Sequence, residues 1–522
     1  MNVTRLFLGE LSGATLTHVL STSCELTRTW QELRERVASL SRGFLALGVR
    51  RGDRILIVCT SRVEVIECVL SAFSIGAVAM PVSPLMGGAG IASIVGRMRP
   101  SCCVFEGHLE QEIEQALHEH SAAMVALEAG PNAERSGYRD FEQLATGHRG
   151  PLELASLEDA HPALAIHSSG SSGVPKVVVL SHGALLRFYE YHDLVWRQYA
   201  DAPDSLIATT PMVNALPFNH LAGISICLQC LMTGRSSYFT NFFLPDAYLK
   251  LLERTRCPFV LLVPSMYRSV LDEPLLRSVD LSSVRCCIIG GEPCSADLLD
   301  RIGKAFGAPV ATAYSMTECL SGIGHSRKDI FERRIKPGSC GRQLFGEVTL
   351  RDENGAIQQH FGELWVRNAT VHRCYLDPAM NDERLQAGWY RTGDLFERDE
   401  DGDFFHRGRV DDMFICNGKN IYPLEMELLI LKQPGIEAVC AAPVHCVRRG
   451  TIPAALVVTK EPMSEEAIQD FCILHGPTHA VPQFIRFVDA IPLLGPGKTD
   501  RRTAAALLQA GYDAVLREPR SS

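Results

Sequence analysis

The sequence has no excess of positive charge. Its 522 residues include 51 lysines and arginines against 60 aspartates and glutamates, which gives a formal net charge of −9. A surface that binds a polyanion requires the opposite sign, so we expect no nucleic acid as a partner. Hydrophobic residues make up 46% of the chain and charged residues 21%. Both values are near the globular average, which excludes a disordered, collagen-like or coiled-coil protein.

The sequence also has no uninterrupted apolar segment long enough to cross a membrane. The uncharged stretch from Cys68 to Gly96 is broken by Pro81, Pro84 and a group of glycines. Its apolar part before Pro81 is shorter than the roughly 20 residues that a spanning helix requires. The first ten residues show no apolar core and no cleavage pattern of a signal peptide. We therefore expect no membrane span.

Paired metal-binding cysteines are absent as well. The 18 cysteines are scattered, and only Cys227 and Cys230 form a C-x-x-C motif, inside an apolar run. A zinc site needs a second pair at ligand spacing, so we interpret the thiols as small buried hydrophobes. So many unpaired thiols are typical of a reducing compartment. Together with the missing signal peptide they predict a cytoplasmic protein.

The sequence does contain a regular alternation of helices and strands. A helix is predicted from near Thr29 to Leu47, because apolar residues recur at helical spacing, Thr29 and Glu32 form a capping box and Gly48 is a stop signal. Near-continuous apolar strands alternate with helical segments, which is typical of parallel α/β sheets. After about residue 336, short alternating strands predict a β subdomain, and from Asp412 strands and helices are mixed. The apolar strands are predicted at 54–60, 77–81, 101–105, 164–166, 259–263 and 284–289.

The strongest local motif is a loop rich in serine and glycine, from His167 to Lys176. Backbone N–H groups and hydroxyls of such a loop can turn toward one anion, and Lys176 adds a positive charge, so the loop is a candidate phosphate site. Its spacing differs from that of a Walker A loop. Lys498 has the Gly-Lys-Thr context of that loop, but Pro492 occupies the position of its first glycine. A flexible linker is the alternative interpretation, although a linker seldom lies between two apolar strands.

Further motifs follow the serine loop in a fixed order. They are Leu-Pro-Phe-Asn-His-Leu-Ala-Gly at 216–223, Gly-Gly-Glu-Pro at 290–293, Ala-Tyr-Ser-Met-Thr-Glu at 313–318, Gly-Trp-Tyr-Arg-Thr-Gly-Asp at 388–394, Gly-Arg-Val-Asp-Asp at 408–412 and Pro-Leu-Leu-Gly-Pro-Gly-Lys-Thr-Asp-Arg at 492–501. In type, order and spacing they resemble the motifs of the adenylate-forming superfamily, which comprises acyl- and aryl-CoA synthetases, stand-alone adenylation enzymes and beetle-type luciferases. The resemblance extends from about residue 25 to 505.

The resemblance implies an α/β fold with two unequal domains. A large N-terminal domain, residues 1–408, would consist of parallel α/β subdomains plus a β subdomain and would bind ATP and the acid. Residues 409–412 would form a hinge. A small, mobile α+β C-terminal domain, residues 413–522, would close over the site as a lid and carry the catalytic lysine.

The resemblance also assigns residues to the nucleotide. Thr317 would contact the α-phosphate and Glu318 would bind Mg²⁺, which commonly takes only one or two carboxylates besides phosphate oxygens and water. Tyr314 would lie on the adenine. Asp394 would accept hydrogen bonds from the ribose hydroxyls, and Arg409 would assist there. The β- and γ-phosphates and the adenine turn would be held by Ser168, Ser169, Gly170, Ser171, Ser172, Gly173, Lys176, Gly291, Glu292 and Pro293.

The implied C-terminal residues act on the reacting groups. Attack of a carboxylate on the α-phosphate of ATP needs charge neutralisation more than covalent catalysis. Lys498 would supply that charge, beside Arg501 and Arg502, as part of a local basic cluster in an acidic protein. In the family the C-terminal domain then rotates about a hinge residue, which maps to Asp411. Gly418 would then approach the acceptor tunnel, since glycine permits close backbone approach.

The sequence limits the chemical class of the acid and of the acceptor but identifies neither. The acyl pocket would be bordered by His220, Phe218, Gly290, Ala313 and Ser315. Amino-acid-activating relatives usually have an aspartate in the segment around His220, and none is present, which favours an aryl or alkyl acid without an α-amine. The acceptor would be coenzyme A, a carrier-protein pantetheine, or an amine that yields an amide, as in coronafacate-type ligases. A non-catalytic nucleotide-binding relative is the alternative of a different class.

Overall fold

The computed structural model describes residues 2–7, 15–21, 24–117, 122–128, 138–168, 176–200, 211–319, 322–369, 371, 374–375, 384–447, 449–494 and 498–517. The first predicted helix is confirmed and runs from Trp30 to Ala46. The Thr29 side chain accepts a hydrogen bond from the backbone N–H of Glu32, and the Glu32 carboxylate accepts one from the backbone N–H of Thr29. Gly48 follows the helix with a φ of +89°, a conformation that favours glycine.

Other helices occur between the strands along the chain. They are Thr4–Phe7, Val63–Ile75, Gly87–Met98, Glu110–Leu117, Phe141–Gly147, His182–Ala200, Leu221–Met232, Pro245–Thr255, Pro264–Asp272, Ala296–Phe306, Arg327–Phe331, Pro423–Ile430, Glu465–His475 and Arg501–Arg517. Among the described residues, no helix combines the length and the apolar character needed to span a membrane.

An eight-stranded sheet contains the two strands that flank the serine loop in sequence. In spatial order its strands are Cys374–Tyr375, Lys176–Ser181, Pro162–Ser168, Val78–Val82, Arg54–Val58, Cys102–Glu106, Ala123–Leu127 and Arg139–Asp140. The six strands from Pro162–Ser168 onward are parallel, which confirms the predicted parallel sheet. Pro162–Ser168 and Lys176–Ser181 are antiparallel, with Ser168 opposite Lys176. Residues 169–175, which lie outside the described residues, therefore connect two adjacent antiparallel strands.

Two smaller sheets complete the N-terminal α/β part. One has the strand order Met212–Asn214, Ser237–Phe239, Thr15–Ser21 and Cys24–Thr29; the other contains the parallel strands Phe259–Leu262, Cys286–Gly290 and Val310–Ala313. Two of these parallel strands lead directly into sequence motifs, at 290–293 and 313–318. Because the carboxyl ends of parallel strands meet at one edge of a sheet, these motifs are neighbours in space.

The predicted β subdomain is confirmed as an antiparallel sheet. Its strands are Glu347–Arg351, Ile357–Gln358, Phe361–Arg367, Leu385–Gln386, Trp389–Arg398 and Phe404–Arg409. Leu364, Val366 and Phe396 are fully buried in its apolar core. The strands Trp389–Arg398 and Phe404–Arg409 pair directly, so the motifs at 388–394 and 408–412 lie side by side.

The C-terminal segment has an apolar core of its own. Its three-stranded sheet consists of Ile436–Cys446, Gly450–Thr459 and Phe484–Phe487. One apolar cluster includes Met426 and Ile468, and a second includes Leu456 and Leu508; all members of both clusters follow residue 415. The remaining pairs of short strands are Ile323–Gly324 with Arg342–Gln343, Phe414–Cys416 with Lys419–Ile421, and Leu493–Leu494 with Lys498–Thr499.

The thiols are buried, as the sequence predicts. The cysteines whose side chains are described are unpaired, and all except Cys24 and Cys294 are buried. Cys227 and Cys230 lie in the helix Leu221–Met232, and burial raises the pKa of the Cys227 thiol to about 12. Within the described part of the chain, no group of three or more His, Cys, Asp or Glu residues could hold a metal ion.

Candidate active site

A cavity of about 2830 Å³ lies between the three-stranded parallel sheet, the β subdomain and the C-terminal segment. Most of the site residues named from the sequence line it. They are Lys176, His220, Gly290, Gly291, Glu292, Pro293, Ala313, Tyr314, Ser315, Thr317, Glu318, Asp394 and Arg409. Residues that are up to 233 positions apart in sequence therefore share one cleft.

Asp394 lies at the centre of a polar cluster in this cleft. It belongs to the strand Trp389–Arg398, and the neighbouring strand places Arg409 directly opposite. Arg409 Nη1 is 3.3 Å from Asp394 Oδ1, and His406 Nε2 is 3.5 Å from the same oxygen. The Tyr314 hydroxyl donates a hydrogen bond of 2.6 Å to Asp394 Oδ2.

The surroundings of Asp394 keep its carboxylate ionised. Burial acts to raise the pKa of Asp394, but the hydrogen bond from His406 and the charge of Arg409 act against it, and the net pKa is lowered. The pKa of Tyr314 is raised by burial and by the nearby Asp394 charge. The phenol therefore stays protonated and can donate. The cluster presents a buried anion and an aromatic ring to the same part of the cleft.

Backbone geometry fixes this carboxylate in place. Gly393 has a φ of +74°, and a Cβ at this position would overlap the guanidinium of Arg384. Its N–H donates a 3.0 Å hydrogen bond to Glu363 Oε1, and the N–H of Asp394 donates to Thr392 Oγ1 at 3.0 Å. Glycine is favoured there because the positive φ would strain any residue with a side chain.

The turn at 290–293 brings the C-terminal segment to the cleft. The backbone N–H of Thr499 donates a 2.9 Å hydrogen bond to Glu292 Oε1, across 207 positions of sequence. Gly291 makes the turn with a φ of +87°. The backbone of Lys498 lies in the short strand that pairs with Leu493–Leu494, so the segment carrying this lysine borders the turn at 290–293.

Other residues named from the sequence lie outside this cleft or outside the described part. Phe218 was expected at the substrate; it is only 1% exposed and lies in the main core, with its ring centroid 4.9 Å from that of Phe239. Asp411 is exposed and pairs with Arg384 Nη2 at 3.1 Å. Gly418 is exposed with a φ of +75°. Ser168 ends its strand, whereas Ser169, Gly170, Ser171, Ser172 and Gly173 lie outside the described residues.

Two residues of the site were missed in the sequence. His406 contacts Asp394, and its ring is 6.2 Å from that of Tyr314 at an interplanar angle of 24°. The Arg384 guanidinium lies beside Gly393 and pairs with the Asp411 carboxylate. The pairing register shifts between Leu395 and Phe396, which are opposite Gly408 and His406. Simple alternation would place Arg409 and His406 on different faces, so only knowledge of this bulge could have found His406.

Comparison with known proteins confirms the resemblance. The family model of AMP-binding enzymes matches residues 19–376, and that of the AMP-binding enzyme C-terminal domain matches residues 425–498. The chain is 30% identical to a feruloyl-CoA synthase of an Amycolatopsis species over 482 residues, which cover 90% of this chain and 92% of that protein. It is 28% identical to a putative acyl-CoA ligase, YdaB, of Bacillus subtilis, with coverage of 91% and 93%. In fold it is similar to the amide bond synthetase McbA of Marinactinospora thermotolerans, with a TM-score of 0.84, 24% identity, and coverage of 97% and 99%.

Proposed function

The chain belongs to the AMP-binding enzymes, the adenylate-forming superfamily, and we propose that it activates a small carboxylic acid with ATP. A carboxylate oxygen of the acid attacks the α-phosphorus, the bond to the β-phosphate oxygen breaks, and acyl-AMP and pyrophosphate form. A thiolate, in the first place that of coenzyme A, then attacks the acyl carbon and expels AMP. The observation that carries the proposal is the joining of the Asp394 cluster and the Thr499–Glu292 contact in one cleft.

The Asp394 cluster fits a nucleoside. An ionised carboxylate that is held from several sides is an acceptor for vicinal ribose hydroxyls. The Tyr314 ring offers an apolar face for the base. Arg409 lies beside Asp394, and its charge helps to keep this carboxylate ionised.

The residues at 317 and 318 fit Mg²⁺ only together with a nucleotide. Glu318 and Thr317 line the cavity, and the described residues offer no further acidic cluster there. One carboxylate with phosphate oxygens and water is a common Mg²⁺ environment. Mg²⁺ bound in this way supplies charge neutralisation for the phosphates. Lys176, which follows the serine loop and lines the same cavity, adds a positive charge of the chain itself.

We assign the charge at the reacting centre to Lys498. Its ammonium would lie between the incoming carboxylate and the α-phosphate, where negative charge accumulates during attack. The contact of Thr499 with Glu292 supports this assignment, because it holds the adjacent residue against the adenine turn. A long flexible side chain on a closing segment suits a charge that is needed for only one of the two steps.

Transfer to the thiol requires a different face of the C-terminal segment. We propose residues 409–412 as the hinge between residues 1–408 and 413–522, with Asp411 as the pivot. Asp411 is exposed and pairs with Arg384 of the N-terminal part at 3.1 Å, while Arg409, itself a hinge residue, lies 3.9 Å away. Rotation would break the partly exposed pair with Arg384. Gly418 would then approach the acceptor.

The test is a screen of carboxylic acids for acid-dependent release of pyrophosphate, followed by mass spectrometry of the product. We expect one class of acids to stimulate release and a CoA thioester to form. If a thioester forms only on a carrier protein, or if an amide forms with an added amine, the proposed acceptor is wrong. The proposed activation of the acid by ATP stands in both cases. Nucleotide binding without release for any acid would refute the proposal in favour of a non-catalytic binding protein.

The proposed compartment is the cytoplasm. The support is the chemistry of the thiols: the described cysteines are unpaired, and burial raises the pKa of several of them, including Cys102 and Cys286 to about 12. Such thiols suit a reducing environment.

A further inference from the structure

The strand Trp389–Arg398 contains a bulge in the sheet of the β subdomain. Three of its residues, 392–394, lie opposite the single residue Leu364 of the neighbouring strand. A bulge takes backbone groups of its extra residues out of the ladder and bends the strand that contains it. Asp394 is the last residue of this bulge. The direction of its carboxylate therefore depends on how the extra residues are held.

The carboxylate of Glu363 holds the middle of the bulge. Glu363 Oε1 accepts a hydrogen bond from the backbone N–H of Gly393 at 3.0 Å. The carbonyl of the same glycine accepts the backbone N–H of Val410 at 2.8 Å. The peptide groups on both sides of Gly393 are thus fixed by neighbouring segments. Because the second of these groups leads directly into Asp394, the backbone of Asp394 is fixed with them.

The sheet in turn holds Glu363. Its second oxygen, Oε2, accepts from Trp365 Nε1 at 3.2 Å and from Arg391 Nε and Nη2 at 3.3 and 3.1 Å. The Arg391 guanidinium also lies over the Trp365 ring, 5.3 Å from its centroid. Glu363 is only 6% exposed. Its position is therefore set by these partners and not by solvent, and loss of any partner of such a buried ion pair is costly.

We propose that Glu363 is a positioning residue for the nucleotide: it holds the bulge at 392–394 so that the Asp394 carboxylate meets the ribose hydroxyls. This inference rests on the proposed function. Glu363 is not one of the described residues that line the cavity, so it acts on the nucleotide through Asp394. A carboxylate suits this role because both of its oxygens accept. An amide of the same length has one acceptor, which could serve Gly393 or Arg391 but not both.

The test measures selectivity for the ribose hydroxyls. With one acid that the wild type uses, kcat/KM in pyrophosphate release is determined for ATP and for dideoxy-ATP, which lacks both ribose hydroxyls. The ratio of the two values is compared in the wild type, E363M, E363Q and D394A. Methionine keeps the length of the side chain and removes both acceptors. E347M is the matched control, because Glu347 is an exposed glutamate of the same sheet that pairs with Arg367 at 2.9 Å.

We expect the wild type and E347M to favour ATP about tenfold to a hundredfold, as for hydrogen bonds to an ionised group. D394A should lower this ratio below about threefold. E363M should approach the ratio of D394A, with kcat/KM for dideoxy-ATP within about twofold of the wild type, and E363Q should lie between E363M and the wild type. The double variant E363M/D394A should show the ratio of D394A, because both residues act through one contact.

A purely structural role of Glu363 predicts a different result. If D394A lowers the ratio but E363M leaves it unchanged, or lowers kcat/KM equally for both nucleotides, the proposal is overturned. Thermal unfolding checks that each variant is folded, and E363Q decides in the same way if E363M is not.

Two other results concern the proposed function on which this inference rests. If the wild type does not distinguish the two nucleotides, or if D394A retains the ratio, Asp394 does not bind the ribose hydroxyls and the inference fails with that assignment. Activation of the acid by ATP is untouched in that case. Absence of pyrophosphate release with every acid would instead refute the proposed function itself.

Discussion

Replacement of Glu292 tests whether the C-terminal segment closes through the contact seen in the structure. Glu292 Oε1 accepts the backbone N–H of Thr499 at 2.9 Å, next to Lys498. A hydrogen bond to a charged group is worth about 1.5–3 kcal/mol. The contact is only partly buried, and solvent screening reduces this to about 1–2 kcal/mol. If the contact forms only in the closed state, Glu292→Ala lowers the population of that state by about 5- to 30-fold.

The assay separates the two half-reactions. Acyl-AMP formation is followed as pyrophosphate release at saturating ATP, so that any weakening of the adenine turn does not enter the result. Thioester formation is measured from supplied acyl-AMP and the thiol. We expect E292A to slow the first reaction by the factor above and to leave the second within about twofold. E292Q, which retains an oxygen acceptor without the charge, should lie between E292A and the wild type.

A control variant and two contrary outcomes decide whether the Glu292 contact serves closure. Glu400→Ala removes an exposed acidic side chain in the turn at 399–402 and should leave both half-reactions unchanged. If E292A slows both half-reactions equally, the contact contributes to general stability and not to closure. If it slows neither, the segment that carries Lys498 reaches the cleft by other contacts and the reasoning is refuted.

Further predictions concern Lys498, Asp411 and Asp394. Lys498→Ala should nearly abolish acyl-AMP formation and affect thioester formation from supplied acyl-AMP much less; equal losses would contradict its assigned role. Asp411→Pro should spare the first half-reaction and block the second, because proline fixes φ at the hinge; normal transfer would argue against domain rotation. Asp394→Asn should raise the KM for ATP about 10- to 100-fold. Since the pKa of Asp394 is lowered by folding, its contribution to stability is present above the unfolded value near 3.9 and is lost as pH falls through the folded value. Acid unfolding below about pH 4 should therefore be shallower in D394N, as measured by thermal melts.

The parts of the fold that depend on local sequence were predictable. The helix Trp30–Ala46 begins at its predicted cap because Thr29 and Glu32 satisfy each other's backbone N–H groups within one turn. The apolar strands were found because both faces of the parallel sheet are covered. The antiparallel pairing of Ser168 with Lys176 was not predicted, because the direction of a strand follows from contacts with its neighbours and leaves no mark in its own residues.

The site was predictable in its motifs but not in its geometry. Asp394 and Arg409 were found because both belong to motifs, and their direct pairing follows from the register of two strands. His406 was missed because a bulge changes which residues share a face. Phe218 stands in a motif that was expected to border the acyl pocket, yet its ring packs on Phe239 in the core, since neighbouring residues in one segment can point in opposite directions.

One member of the basic cluster expected around Lys498 is held in ion pairs. Arg501 pairs with Glu427 through both of its terminal nitrogens and with Asp412 at 3.3 Å. Burial acts to lower the pKa of Arg501, but these carboxylates outweigh it and raise the pKa, so the cation is fixed and already neutralised. It is therefore poorly suited to bind phosphate. Arg501 thereby links the segment of Lys498 to the helix Pro423–Ile430 and to Asp412, at the end of the proposed hinge. In the proposed rotation these three parts would turn together, and Lys498 and Lys176 are left as the proposed charges on the phosphates.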